Sequence, residues 1–202
     1  EGLQARMSDG QTEHLDSTRY PDFGPKEWNE RISKSGAITI GSRGILVAYN
    51  VNIDEKDASV SKKIGSLVRS SGRLIKNIDG RKMRVPGMLT LVQGMGVTLE
   101  SHGISQVSMN LRDVEKCPMH VAYEACKTLA NDHGIQAPGS ELVGLVPLQA
   151  MLESGRWYAP EGVSDDAELV KAAIEGLGLS QLDEFIADER IIEWAVSKAV
   201  AQ

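Results

Sequence analysis

The chain holds 202 residues, carries a formal net charge of −6, and is 41% hydrophobic and 25% charged. Such a composition belongs to an ordinary globular protein with a real core, and its acidic balance excludes the usual basic nucleic-acid binder. No apolar run approaches the ~20 residues that cross a bilayer as a helix, and the first residues show no basic-then-apolar leader, although a segment upstream of Glu1 would hide one.

Residues 8–27 are polar and rich in turn formers, with Pro21 and Pro25 around a Phe-Gly corner, and read as a linker arriving at a domain. From Ile38 to Ile53 the chain has β character. Val47, Tyr49, Val51 and Ile53 alternate with Ala48, Asn50 and Asn52, which predicts a strand with one apolar face. Residues 57–70 read as a helix, with Asp57 as N-cap and an apolar stripe through Val60, Ile64, Leu67 and Val68. Gly72 is its expected stop.

The segment from Arg69 to Arg84 is basic, with Arg69, Arg73, Lys76, Arg81, Lys82 and Arg84 against Asp79 alone. It reads either as a mobile solvated loop or as an attractor for anionic ligand groups such as a glutamate tail. Nucleic acid ranks low, because no aromatic residue is interleaved with the charges.

Leu89–Leu99 and Ile104–Leu111 read as a hairpin. Cys117-Pro118 opens a helix with proline at its first position, a buried stripe through Ala122, Ala125, Cys126 and Leu129, and Gly134 as stop. The spacing of Cys117 and Cys126 turns them to roughly opposite sides of that helix, so no disulfide and no metal framework is expected, which fits a reducing cytoplasm. The apolar run Leu142–Val146 reads as a short buried strand stopped by Pro147. Helices follow over Pro147–Tyr158, Asp166–Leu177 and Asp188–Val200. The order β-α-ββ-α-β with C-terminal helices predicts an α/β (α+β) sandwich: a ferredoxin-like sheet with helices on one face.

Two further features suit ligand binding. Asn50 and Asn52 point the same way from one strand, and Gln106, Ser108 and Asn110 share a face of another. Amides both donate and accept, so five such side chains on one sheet would line a polar groove. The competing reading is a face that is merely wet. The histidines, His14, His102, His120 and His133, have no metal-ligand spacing with an acid or cysteine. Neither a nucleophile elbow nor a Walker loop occurs, and Gly94-Met-Gly96 lacks the third glycine of a dinucleotide fingerprint.

Five blocks carry a resemblance: Pro21-Asp-Phe-Gly-Pro25, Ile45-Leu-Val-Ala-Tyr-Asn-Val-Asn-Ile53, Gln106-Val-Ser-Met-Asn-Leu111, Gly139-Ser-Glu-Leu-Val-Gly-Leu-Val-Pro-Leu-Gln149 and Glu189-Arg-Ile-Ile-Glu193. In this order and spacing the chain resembles the C-terminal part of the glutamate formimidoyltransferase (formiminotransferase) family. The resemblance implies residues 1–19 as the tail of a preceding N-terminal subdomain with its linker, and 20–202 as the C-terminal subdomain. It implies a cytoplasmic transferase of histidine breakdown that moves a formimidoyl group between N-formimidoyl-L-glutamate and tetrahydrofolate. The family's catalytic histidine lies in a His-Pro-Arg-Met-Gly-like segment that is not present here. No catalytic residue is therefore expected in this chain, which is expected to be inactive alone.

The stretch after Asp-Phe-Gly-Pro is associated with folate in the family, which implies Gly24, Pro25, Lys26, Glu27, Trp28, Arg31, Lys34, Ser35 and Gly36 as folate contacts. The flanks match better than the interior, which is a few residues longer here. Trp28 offers a flat face for a ring and Arg31 and Lys34 can meet carboxylates; the competing reading is a surface linker with one anchoring tryptophan. Asn50, Asn52, Gln106, Ser108 and Asn110 join the expected folate set. His120 aligns with a family histidine, with a structural or surface role expected and contact with the groove as the alternative. The expected partners are folate, formimidoylglutamate, the histidine-bearing subdomain and further copies of the chain, since an isolated half exposes apolar surface. Three arrangements stay open: part of a one-chain transferase, one subunit of a split transferase, or a non-catalytic folate-binding or interaction module.

Overall fold

In the computed structural model, residues 21–25, 27, 29–38 and 40–200 are described. The chain forms two units, 1–43 and 44–202. In the first, a short helix α1 (Glu30–Ser35) is capped by Asn29, whose side-chain oxygen accepts from the Ile32 amide at 3.1 Å. Glu30 and Lys34 pair across one turn at 2.7 Å, and Gly36 ends the helix at φ 68°. The helix buries no side chain. Ile38 and Ile40, expected to open a strand, are 86% and 89% exposed. The strand begins only at Val47, where pairing to Leu111 starts; without a partner strand, apolar character alone forms no ladder.

The second unit runs β1 (Val47–Ile53), α2 (Ser59–Val68), β2 (Arg73–Lys76), β3 (Lys82–Val85), β4 (Val92–Leu99) and β5 (Ile104–Leu111). It continues with α3 (Met119–Asn131), β6 (Gly139–Val143), α4 (Leu148–Tyr158), α5 (Asp166–Leu177), α6 (Ala187–Arg190) and α7 (Ile192–Val200). Four strands form one sheet in the order β4-β5-β1-β6, each neighbour antiparallel. This is the split βαβ arrangement expected from the element order, with β5 inserted between β1 and β4.

One face of the sheet is the core. Val47, Tyr49, Val51 and Ile53 are fully buried with Val107 and Leu111, beneath α2 and α3. Ile64 and Val68 of α2 and Met119, Ala122 and Cys126 of α3 close that core. Each such large side chain contributes about 1.5–3 kcal/mol through burial. The approach of α2 to β4 depends on glycine: a Cβ on Gly96 would lie 2.0 Å from the Lys62 amide nitrogen. The Gly94-Met-Gly96 string thus makes a flat floor for a helix. Gly155 of α4 plays the same part against the Leu169 carbonyl, 2.1 Å from its would-be Cβ.

Three expectations shift. The basic segment is a two-stranded hairpin, not a loop: β2 and β3 pair Arg73 to Val85 and Lys76 to Lys82. Asn77 closes its turn by accepting from the Asp79 and Arg81 amides. All its strand residues are exposed, so no buried face marked it in the sequence. The strand expected at 142–146 lies at Gly139–Val143, and Pro147 is the N-cap of α4. The C-terminal helix breaks at Ile191, which bridges in parallel to Val146; the Val146 amide donates to Arg190 O at 2.9 Å and Ile192 N to Val146 O at 3.0 Å.

Candidate functional site

The other face of the sheet carries the polar side chains. Register places them in transverse rows: Gln93, Asn110, Ala48 and Val143; then Met95, Ser108, Asn50 and Glu141; then Val97, Gln106, Asn52 and Gly139. Asn50, Asn52, Gln106, Ser108 and Asn110 therefore lie together, because Asn50 pairs with Ser108 and Asn52 with Gln106. Three strand spacings make each row about 14 Å wide.

Hydrogen bonds knit these rows. Gln106 Nε2 donates to Asn52 Oδ1 at 2.8 Å and to Glu141 Oε2 at 3.0 Å. Asn50 Nδ2 donates to Gln106 Oε1 and to Glu141 Oε2, both at 3.4 Å. Asn52 Nδ2 donates to Gln181 Oε1 at 2.6 Å. Asn52 is 0% and Gln106 3% exposed, so these two amides support the surface from beneath. Asn50, Ser108, Asn110 and Glu141 are half-buried and reach it. Met95, 60% exposed, and Val143, 52% exposed, flank them with apolar surface.

Gln181 arrives there by a local device. α5 ends at Gly178 in the left-handed region, φ 60°, and the chain turns along β6, where the Ser140 amide donates to Gly178 O at 3.1 Å. A Cβ on Gly139 would lie 2.6 Å from that of Gln181, so the glycine opening the Gly-Ser-Glu-Leu-Val strand makes room for the side chain that holds Asn52. Beneath it, Ser140 Oγ accepts from the Tyr49 hydroxyl at 2.9 Å and donates to Leu177 O at 2.6 Å. Burial raises the Tyr49 pKa well above the usual phenol value.

Lys26 and Trp28 lie outside the described residues, as does His14. Gly24, Pro25, Glu27, Arg31, Lys34, Ser35 and Gly36 are exposed in the first unit, with the Lys34 ammonium paired to Glu30. His120 lies in α3, on the helical side of the sheet rather than on the amide face, so contact with a groove there is not met. Its ring stacks on Trp157 with centroids 5.2 Å apart and planes 16° from parallel. Burial lowers its pKa, and Glu124 opposes that shift. Cys117 and Cys126 are both buried and free; burial pushes the Cys117 thiol up to about 11 and the Cys126 thiol higher. Among the described residues no cluster of three His, Cys, Asp or Glu side chains is able to hold a metal ion, and no helix is long and apolar enough to cross a membrane.

Sequence reasoning missed Glu141 and Gln181. Glu141 had a signal, a lone acid alternating with Ser140 and Leu142 inside an apolar strand. Gln181 had none, because its role comes from a turn.

The family model described as the formiminotransferase domain matches residues 48–197, which covers the sheet and its helices except Val47 at one end and the last three residues of α7 at the other. The chain belongs to the formiminotransferase domain family. It is 33% identical over 155 residues to the glutamate formimidoyltransferase of Thermoplasma acidophilum, covering 77% of this chain and 45% of that protein. It is 36% identical over 195 residues to the formimidoyltransferase-cyclodeaminase of Dictyostelium discoideum, covering 94% of this chain and 34% of that protein. The corresponding protein of Gallus gallus is 36% identical over 179 residues, with 87% and 31% covered. The formiminotransferase chain thus spans between about a third and under half of these relatives.

Proposed function

We propose that this chain is the folate-facing C-terminal part of a glutamate formimidoyltransferase, exchanging a formimidoyl group between N-formimidoyl-L-glutamate and tetrahydrofolate. The relatives' names support the reaction class. The observation that carries the placement is the open row Met95, Ser108, Asn50 and Glu141, where polar groups flanked by methionine suit a flat, donor- and acceptor-rich ring. Residues 20–202 are in this reading the C-terminal subdomain and 1–19 the link to the other half.

In the reaction, N5 of tetrahydrofolate attacks the formimidoyl carbon, giving a tetrahedral adduct, and the glutamate amine leaves as its C–N bond breaks. A proton leaves N5 and one reaches the departing amine, which calls for a positioned acid–base group. Among the described residues no histidine belongs to the rows of this face. The proposal therefore assigns that group to the half of the transferase outside this chain, on the same polypeptide or on a partner subunit. This chain supplies one wall and part of the folate grip: Asn50, Ser108 and Asn110 at the surface, Asn52 and Gln106 as their supports. The segment Gly24–Gly36, with Trp28 as ring platform, is a second contact in the same proposal.

The first experiment is calorimetric titration with 5-formyltetrahydrofolate, a stable analogue of the formimidoyl product. Expected is binding that weakens in Asn50→Ala and in Trp28→Phe. Absence of heat at millimolar ligand overturns this chain as a free-standing folate binder.

A further inference from the structure

Glu141 stands on the edge strand β6, at the end of its row, and is the only acid among the residues of the three rows. Its Oε2 accepts from both Gln106 and Asn50, and its Oε1 accepts from no described residue. A carboxylate offers about four acceptor positions, and here the two occupied ones fall on one oxygen. No described Lys or Arg lies within ion-pair distance of it. The orientation is over-determined: Gln106 is fixed by Asn52, and Asn52 by Gln181, with the two middle amides almost wholly buried. A half-buried charge without a counter-charge is costly, and a network that fixes the carboxylate through one oxygen while the other keeps no described partner makes sense when a ligand supplies the donors.

The chemistry of that ligand is constrained. The acid stands alone, so a hard cation, which takes six or more oxygens, is not favoured. Beside Glu141 on the same strand and face is Val143, 52% exposed, and such an apolar neighbour suits a planar, weakly hydrated group better than a compact ammonium. We infer that Glu141 is the acceptor for a planar N–C–N pair of N–H donors. This rests on the transferase reading, in which two sources carry that unit: the 2-amino and N3–H edge of the pterin, and the amidinium end of N-formimidoyl-L-glutamate. Glu141 is then a specificity-determining contact, and Gln106, Asn52 and Gln181 position it.

The test uses three probes on the chain and on Glu141→Gln, which keeps the size and one acceptor. 5-Formyltetrahydrofolate carries the pterin edge without an amidine, N-formimidoyl-L-glutamate the amidine without a pterin, and acetamidinium only the N–C–N unit. Loss of a charge-assisted hydrogen bond is expected to weaken binding by about tenfold or more. A loss confined to the folate assigns the pterin; a loss confined to formimidoylglutamate assigns the amidinium. In parallel, side-chain NH2 signals of Asn50 and Gln106 in the unsubstituted chain are followed by NMR, with acetamidinium against methylammonium. Shifts larger with acetamidinium support the planar pair and need no variant. Equal affinities in both proteins, or equal shifts with both cations, overturn the inference. If the folate fails to bind while acetamidinium binds through Glu141, the folate reading fails and this one stands. Unchanged folate binding in Glu141→Gln together with equal shifts gives the reverse. No binding of any probe by the unsubstituted chain removes both.

Discussion

Gln106 Nε2 reaches Glu141 Oε2 at 3.0 Å and so ties β5 to β6 across the intervening strand β1. The bond lies on the same face as Asn50, which accepts no share of the core. Gln106 is the centre of a chain of side chains running from Gln181 through Asn52 to Glu141 and Asn50.

Removing the centre leaves buried amides unpaired. Gln106→Ala strands Asn52 Oδ1 and frees Glu141, and the cost is expected at about 1–3 kcal/mol. Urea unfolding of the variant checks it. Gln181→Ala, which unpairs Asn52 Nδ2 and also opens it to water, is expected to cost less.

Gly96→Ala places a methyl group 2.0 Å from the Lys62 amide nitrogen, backbone that has nowhere to go without lifting α2. Destabilisation by roughly 3 kcal/mol is expected, at the upper end of overpacking effects. Gly41→Ala, with nothing within 4 Å of its Cβ, is the control and is expected within about 0.5 kcal/mol of the unsubstituted chain. Thermal melts of the pair decide.

The Leu148 amide, an orphan donor at the start of α4, is satisfied by Glu193 Oε2 of α7 at 2.7 Å. Glu193→Ala is expected to cost about 0.5–2 kcal/mol, the range of a lost N-cap. Faster hydrogen exchange at Leu148 than elsewhere in α4 identifies the mechanism.

His120 titrates lower in the folded chain than unfolded, because burial against Trp157 disfavours its charge and Glu124 only partly compensates. In the window below the usual value of about 6.5 the unfolded chain binds the extra proton, so stability rises with pH there and falls as pH drops towards the folded pKa. The slope of unfolding free energy against pH between about 5 and 7 is expected to flatten in His120→Gln. An unchanged slope contradicts the assignment.

Local pattern made much of this readable. The alternation in Val47–Ile53 placed Asn50 and Asn52 on one face; the stripe of 166–177 gave α5 to the residue, and that of 57–70 gave α2 two residues too long at each end, with Ala58 rather than Asp57 at the N-cap. Covalent spacing sets those periods, so they need no partner. The rows themselves were not readable. Glu141 stands beside Asn50, and Ser108 on its other side, because of a register set by strands brought together from distant parts of the chain, and a slip of one residue would send every one of these side chains to the core. The hairpin β2–β3 was missed for a different reason: Lys82-Met-Arg-Val85 does alternate, but the two runs are only four residues each, basic, and exposed on every strand residue, so no buried face sets them apart from a solvated loop. The break at Ile191 also came from outside its own segment: Val146 takes the Ile192 amide that the preceding helix would have kept. Composition and periodicity carry elements and faces; which atoms meet, and hence whether Glu141 has a free oxygen, follows from long-range pairing and from a glycine turn that puts Gln181 over Asn52.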